Sequence, residues 1–230
     1  DALADIGTAL ELRPTFGIGI LTVLMRIEGR VVGVLANNPA HLGGAIDSDS
    51  SDKASRFIQL CDAYDIPIVS LCDTPGFMVG PDAEQTAQVR HFGRMFVTAA
   101  SITVPWITIV LRKGYGLGAQ AMAGGSFHGN TMTVSWPTGE FGGMGLEGAV
   151  RLGYRKELEA ITDDAERAAL EAKLIASAYE RGNALNMASH VEIDDVIDPA
   201  ETRARILSII GRGTSWRQRT GKKRPMVDTW

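Results

Sequence analysis

The strongest constraint on how this 230-residue chain can fold is one stretch, residues 106–122. Trp106-Ile-Thr-Ile-Val-Leu111 is apolar and β-branched, Arg112-Lys113 follows, and Gly114-Tyr115-Gly116-Leu117-Gly118-Ala119-Gln120-Ala121-Met122 completes it. The pattern predicts a buried strand passing through a glycine-rich turn into the start of a helix. Glycines at 114, 116 and 118 remove Cβ atoms where the backbone turns sharply or where another molecule comes into contact. A helix start offers unpaired amide N–H groups, which suit a developing oxyanion or a phosphate. The same glycines also suit a tight connection with no ligand, so the turn alone leaves both readings open.

Composition narrows the classes. With 45% hydrophobic residues the chain can bury a sizeable core. A net charge of −4 argues against nucleic acid as a partner. The local exception is a basic stretch with Arg212, Arg217, Arg219, Lys222, Lys223 and Arg224, read as a solvated tail over 212–230. No apolar run reaches membrane-spanning length, so no membrane partner is expected. The first residues do not read as a signal peptide, and the missing initiator Met implies a fragment or a processed chain. Cys61 and Cys72 have no CxxC neighbour, which implies reduced core thiols in the cytoplasm or a mitochondrial matrix. His41, His91, His128 and His190 lack metal-ligand spacing, and no metal is expected.

In chain order, segments 18–27 and 31–36 flank Glu28-Gly29-Arg30 and predict a β-hairpin. Residues 37–44 read as a turn-rich loop. Ser50 or Ser51 is the expected cap of a helix whose Ala54, Phe57, Ile58 and Cys61 keep helical spacing. Segment 66–72 is almost continuously apolar, which favours a strand buried on both faces between parallel neighbours. Asp73-Thr74-Pro75-Gly76-Phe77 follows at its C-terminal end, where α/β sheets place ligands. DTPG resembles the DxxG of GTPases, but no GxxxxGK[ST] occurs; Gly17-Ile18-Gly19 precedes its strand, unlike a dinucleotide fingerprint. One long helix is expected from 82 to 101, with Val89, Phe92 and Phe96 inward, leading into the Trp106 strand. Beyond it come a strand at 130–136, a second glycine-rich loop at 137–145 and a helix from Leu146. An amphipathic helix at 163–179, with Ala168, Ala172, Ile175 and Tyr179 inward, precedes short helices at 184–190 and 199–210. This alternation predicts an α/β domain over 18–211 after a lead-in at 1–17. The opening hairpin and trailing helices do not fit a plain Rossmann sheet.

The turn at Gly114-Tyr-Gly-Leu-Gly-Ala119 resembles the GYALGGG turn of the crotonase superfamily. Five further segments resemble, in order, the C-terminal half of biotin-dependent acyl-CoA carboxyltransferase subunits. They are GVLANNP at 33–39, SDKASRFIQLCD at 51–62, IPIV at 66–69 with DTPGF at 73–77, WPT at 136–138 with MGLEGAV at 144–150, and IDPAETR at 197–203. The resemblance spans nearly the whole chain. It implies a crotonase-like (ClpP/crotonase) ββα superhelix, a single α/β domain with trailing helices. The implied activity is transfer of a carboxyl group from carboxybiotin to the α-carbon of an acyl-CoA such as acetyl-CoA, propionyl-CoA or a longer homologue. Biotin on a carrier domain is the implied cofactor, and a coenzyme A thioester the substrate. Implied partners are an N-terminal carboxyltransferase half, biotin carboxylase and biotin carrier domains, and further copies in a dimer or larger homo-oligomer.

Such chemistry needs backbone donors for developing oxyanions rather than a Ser/His/Asp set. By resemblance, the amides of Leu117, Gly118 and Ala119 hold the biotin oxygen. Gly76, Phe77, Gly114, Tyr115, Gly116, Gln120, Gly143 and Met144 are the expected substrate and biotin contacts. Three departures stand out. Gln120 replaces an acidic residue of propionyl-type enzymes, Gly124-Gly125-Ser126 replaces Gly-Ser-Lys, and Gly139-Glu140-Phe141 replaces Ala-Gln-Ile. Glu140 falls near the position of the catalytic glutamate of crotonase isomerases and hydratases. It is read either as an acid/base or as a carboxylate capping its loop. Hydratases carry a second glutamate where this chain has Met122, which disfavours hydration. An isomerase using Glu140, or a half acting only in assembly, are the alternatives.

Overall fold

Strands β2 (Ile20–Ile27) and β3 (Arg30–Asn37) form the expected hairpin, in register from Ile20 opposite Asn37 to Ile27 opposite Arg30. Its two-residue turn, Glu28 at φ 49° and Gly29 at φ 77°, has the left-handed geometry that matches strand twist. A short strand β1 (Leu10–Glu11) pairs with the outer edge of β2. Ahead of it, the Asp5 carboxylate accepts the N–H groups of Glu28 and Gly29 at 3.0 and 2.7 Å, so the lead-in is bonded to the hairpin tip. The computed structural model describes residues 2–210 with Gly221 and Val227. Those two aside, the expected basic tail with Arg212, Arg217, Arg219, Lys222, Lys223 and Arg224 lies outside the described residues.

From β3 the sheet becomes parallel, through β4 (Ile68–Thr74), β5 (Trp106–Tyr115), β6 (Met132–Ser135) and β8 (Asp195–Val196). A three-residue strand β7 (Glu140–Gly142) runs parallel to the end of β5, within the segment expected to be a loop. Side chains alternate across β5. Trp106 and Val110 face one core with Ala54, Phe57, Ile58 and Met95, while Ile107 and Ile109 face the other with Val34, Val69 and Ile206. Burial on both faces is why 66–72 and 106–111 read as unbroken apolar runs.

Helix α1 (Ser48–Ala63) covers the first face, but its cap is Asp47, whose Oδ1 accepts the Ser50 N–H at 2.8 Å. Ser50 and Ser51 lie inside the helix, which starts about one turn earlier than expected. The long helix expected at 82–101 is broken into α2 (Pro81–Gln85) and α3 (Gln88–Ala99) at Ala87, whose φ is 55°. The cause is tertiary. Gln88 is buried and its Nε2 donates to the Ile46 carbonyl at 3.0 Å, which fixes the start of α3 independently of α2. The turn after β5 becomes α4 (Gly116–Met122). The remaining helices are α5 (Leu146–Gly153), α6 (Arg155–Glu159), α7 (Asp164–Gly182), α8 (Ala184–Ser189) and α9 (Thr202–Ile210). Helix α9 closes the second face through Ile206 and Ile210. No helix among the described residues is long and apolar enough to cross a membrane.

Candidate active site

The site forms where β4, β5 and β7 end. Asp73, the penultimate residue of β4, receives the Arg112 guanidinium at 3.0 and 3.3 Å and the Lys113 N–H at 3.2 Å. That pairing raises the Arg112 pKa above its ordinary value, through the hydrogen bond first and the charge second. Lys113 Nζ also donates to the Gly43 carbonyl. The last residues of β5 are thus tied to β4 and to the loop after β3 before the chain enters α4.

Tyr115 is the N-cap of α4 and gives it no side-chain cap, so the first-turn N–H groups have no capping side chain. Its hydroxyl is turned away and donates to Glu140 Oε2 at 2.7 Å. Burial, then the carboxylate beside it, pushes the Tyr115 pKa far up. The Glu140 carboxylate therefore holds the residue that precedes the turn, rather than capping its own loop. Gly116 sits at φ 59°, and a Cβ there would lie 2.8 Å from the Gly143 carbonyl oxygen. At Gly118 a Cβ would lie 2.7 Å from Gly76 Cα and 3.0 Å from the Phe77 nitrogen. Only glycine lets α4 start this close to the 74–77 loop.

A cavity of about 640 Å³ opens beside α4, within the usual range for ligand sites. Gly114, Gly116, Leu117, Gln120 and Gly143 of the expected residues line it. Gln120 is held there, its Oε1 accepting the Phe127 N–H at 3.3 Å. Gly76 and Phe77 meet the same turn from another side, through Gly118, and Phe77 stacks on Phe92 with ring centroids 4.2 Å apart. Ala119 is fully buried, while Tyr115, Glu140 and Met144 are absent from the cavity lining. The lining also takes in Ala178 and Arg181 of α7 and Met187 of α8, none of which the sequence singled out. Among the described residues no group of His, Cys, Asp and Glu is arranged to hold a metal ion.

The model of the carboxyl transferase domain matches residues 1–224. The chain belongs to the carboxyl transferase domain family. Over 227 residues this domain is 38% identical to the methylmalonyl-CoA carboxyltransferase 12S subunit of Propionibacterium freudenreichii subsp. shermanii, covering 96% of the chain and 42% of that protein. It is 38% identical over 204 residues to the propionyl-CoA carboxylase beta chain of Cereibacter sphaeroides, covering 89% and 39%. Among solved structures, a single-chain, multi-domain long-chain acyl-CoA carboxylase is 59% identical at a TM-score of 0.81, covering 90% of this chain and 20% of that one. The hexameric transcarboxylase 12S, solved with methylmalonyl-CoA bound, is 36% identical at a TM-score of 0.85, covering 99% and 43%. The domain spans about two fifths of the length of the curated relatives it matches. Its fold is the crotonase-like α/β fold of these carboxyltransferases.

Proposed function

We propose that this chain is the biotin-facing half of an acyl-CoA carboxyltransferase, taking coenzyme A thioesters that include long-chain ones. The observation that carries the reading is the uncapped first turn of α4, which Gly116 and Gly118 bring against the backbones of Gly143 and Gly76. Bound biotin, carboxylated on its carrier domain, supplies the carboxyl group that is transferred. The residues fit it. Leu117 and Gly118 offer first-turn amides for a ureido oxygen, whereas the Ala119 N–H closes the first helical turn onto the Tyr115 carbonyl. Because α4 has only seven residues, the stabilisation comes from these individual donors and less from a helix dipole. One such donor is worth about 10²–10³ in rate where water is excluded.

No side chain of the turn has to move a proton. Glu140 orients Tyr115, and through it the entry to α4, which is a positioning role. An N-terminal half supplies most coenzyme A contacts, and biotin carboxylase and carrier domains and further copies of the chain complete the assembly. The test is reconstitution. Free biotin and malonyl- or methylmalonyl-CoA are given to the chain alone and to the chain joined to its N-terminal half, with thioesters resolved by chromatography. The joined form is expected to decarboxylate only with biotin present, and the chain alone to do nothing. Biotin-independent turnover of an enoyl-CoA by the chain alone would overturn the reading in favour of Glu140 as an acid/base.

A further inference from the structure

The cavity beside α4 has a chemistry of its own. Its side chains inside the rim are largely hydrocarbon: Phe127 and Phe141 meet edge to face with centroids 5.5 Å apart, and the buried Leu146 also lines it. Its charged side chains, Arg181 and Glu192, are both on exposed residues, which places the charges at the rim. Glu192 is partnered there by His128 at 3.2 Å. Deeper in, Gln120 is neutral and its side-chain oxygen is already engaged by the Phe127 amide. Inside the rim, the polar groups on the lining are the backbone of the α4 turn and neighbouring glycines and the Gln120 amide. Leu117, next to the proposed oxyanion donors, is 60% exposed and lies on the lining, so a large apolar side chain faces the opening.

We infer that this cavity receives the hydrocarbon tail of the acyl thioester and that Ala178 of α7 and Met187 of α8 set how long a tail it accepts. The inference rests on the acyl-CoA reading above and adds where the tail goes. Gly116 and Leu117 join the cavity directly to the turn, so a thioester reacting at the turn can send its acyl chain inward without crossing backbone. On the same lining, the small Ala178 leaves space open, and the unbranched Met187 adapts to chains of different length. Each methylene buried against such a wall raises affinity about fourfold, or roughly 0.8 kcal/mol. Chain-length preference is therefore written on α7 and α8, about sixty to seventy residues beyond the turn.

The experiment uses the full-length protein and CoA thioesters of four, eight, twelve and sixteen acyl carbons. The wild type is expected to favour the longer chains in kcat/KM. Ala178→Phe, which puts a ring into the cavity from a half-exposed position, should lower the sixteen-to-four ratio about thirtyfold or more, the equivalent of two to three methylene contacts. Met187→Trp should lower it in the same direction, and serves if Ala178→Phe fails to fold. Dissociation constants of unreactive thioether analogues, measured by calorimetry, should follow the same ratios. An unchanged ratio in folded variants would overturn the inference, because a wall of the biotin site would affect all chain lengths alike. A wild type that prefers four carbons would overturn it too, while leaving biotin-dependent transfer intact. If no thioester is turned over in the presence of biotin, the functional reading fails, and the thioether series still decides whether the cavity binds acyl chains.

Discussion

Replacing Gly118 by alanine separates two forces of opposite sign. Gly118 lies in α4 at an ordinary helical φ, so helix propensity alone favours alanine by up to about 1 kcal/mol. The contact geometry opposes it. A Cβ at this position would lie 2.7 Å from both the Cα and the carbonyl carbon of Gly76, whereas ordinary contact begins at 3.4 Å, so α4 and the 74–77 loop must part by about 0.7 Å. Both neighbours are backbone and neither can rotate away. Overpacking of this kind costs roughly 1–3 kcal/mol. At roughly 2–4 °C per kcal/mol, the melting temperature of the full-length protein should fall by several degrees. The same shift carries the Leu117 and Gly118 amides away from the oxygen they are proposed to hold, and a misplacement near 1 Å costs about 10²-fold. The expected outcome is a loss in kcat of roughly ten- to a hundredfold with KM for the acyl-CoA little changed, read in biotin-dependent decarboxylation beside a thermal melt. A stabilised variant would show that the contact is not tight. A destabilised variant with wild-type kcat would remove the turn from catalysis.

Tyr115→Phe deletes this hydrogen bond and Glu140→Gln leaves only a neutral acceptor for it, so each should lower kcat by about tenfold or less, and the double variant should be no worse than the more impaired single one. A loss near 10⁴ for Glu140→Gln alone would instead mark a proton-transfer residue. Asp47→Ala removes the cap of α1 and should cost about 1 kcal/mol at pH 7 by urea unfolding. Burial raises the Asp47 pKa, but hydrogen bonds from Ser50 and His41 outweigh it and leave the carboxyl below its ordinary 3.8. The ionised cap therefore contributes fully above that value, and the gap between wild type and variant should close as pH falls through the lower folded value. Gly93→Ala, in α3 with nothing within 4 Å of the added methyl, should stabilise by up to about 1 kcal/mol in the same assay.

What the sequence made legible was local. The hairpin carries its own turn at Glu28-Gly29, and the buried parallel strands carry their own hydrophobicity, so both were read correctly. The strand-to-helix turn at 114–118 was visible for the same reason. The misses are places where a distant residue decides. Gln88 reaching Ile46 splits one expected helix into two and turns Val89 outward, where it is 67% exposed. Strand β7 has only three residues and exists because the end of β5 offers it a ladder. In α7 the alanines gave no reliable phase. Ala168 and Ala172 face solvent, while Ile175 and Tyr179 of the expected face are half-buried, as are Leu170 and Leu174. Lys53, 1% exposed with its Nζ 3.5 Å from the Gly17 carbonyl, carried no signal at all, since a lysine on a helix ordinarily reaches water.

The elements around the proposed site meet where atoms are missing. Gly116 admits the Gly143 carbonyl, Gly118 the Gly76 backbone, and Gly182 of α7 the Phe141 carbonyl, to which a Cβ would come within 2.4 Å. Each glycine joins a different element to the end of β5 or to β7: the loop before α5, the loop after β4, and α7. A site whose working groups are amides is then tuned by the spacing of main chains, and spacing responds to atoms added more than to atoms removed. Truncating Leu117 leaves its amide where it was and takes away only apolar contact. Adding one methyl at Gly118 or Gly182 pushes two backbones apart and moves a wall relative to the donors. Alanine scanning, which deletes side chains, therefore under-reports a site of this kind, and substitutions at the glycines are the ones that separate a working turn from a merely tight connection.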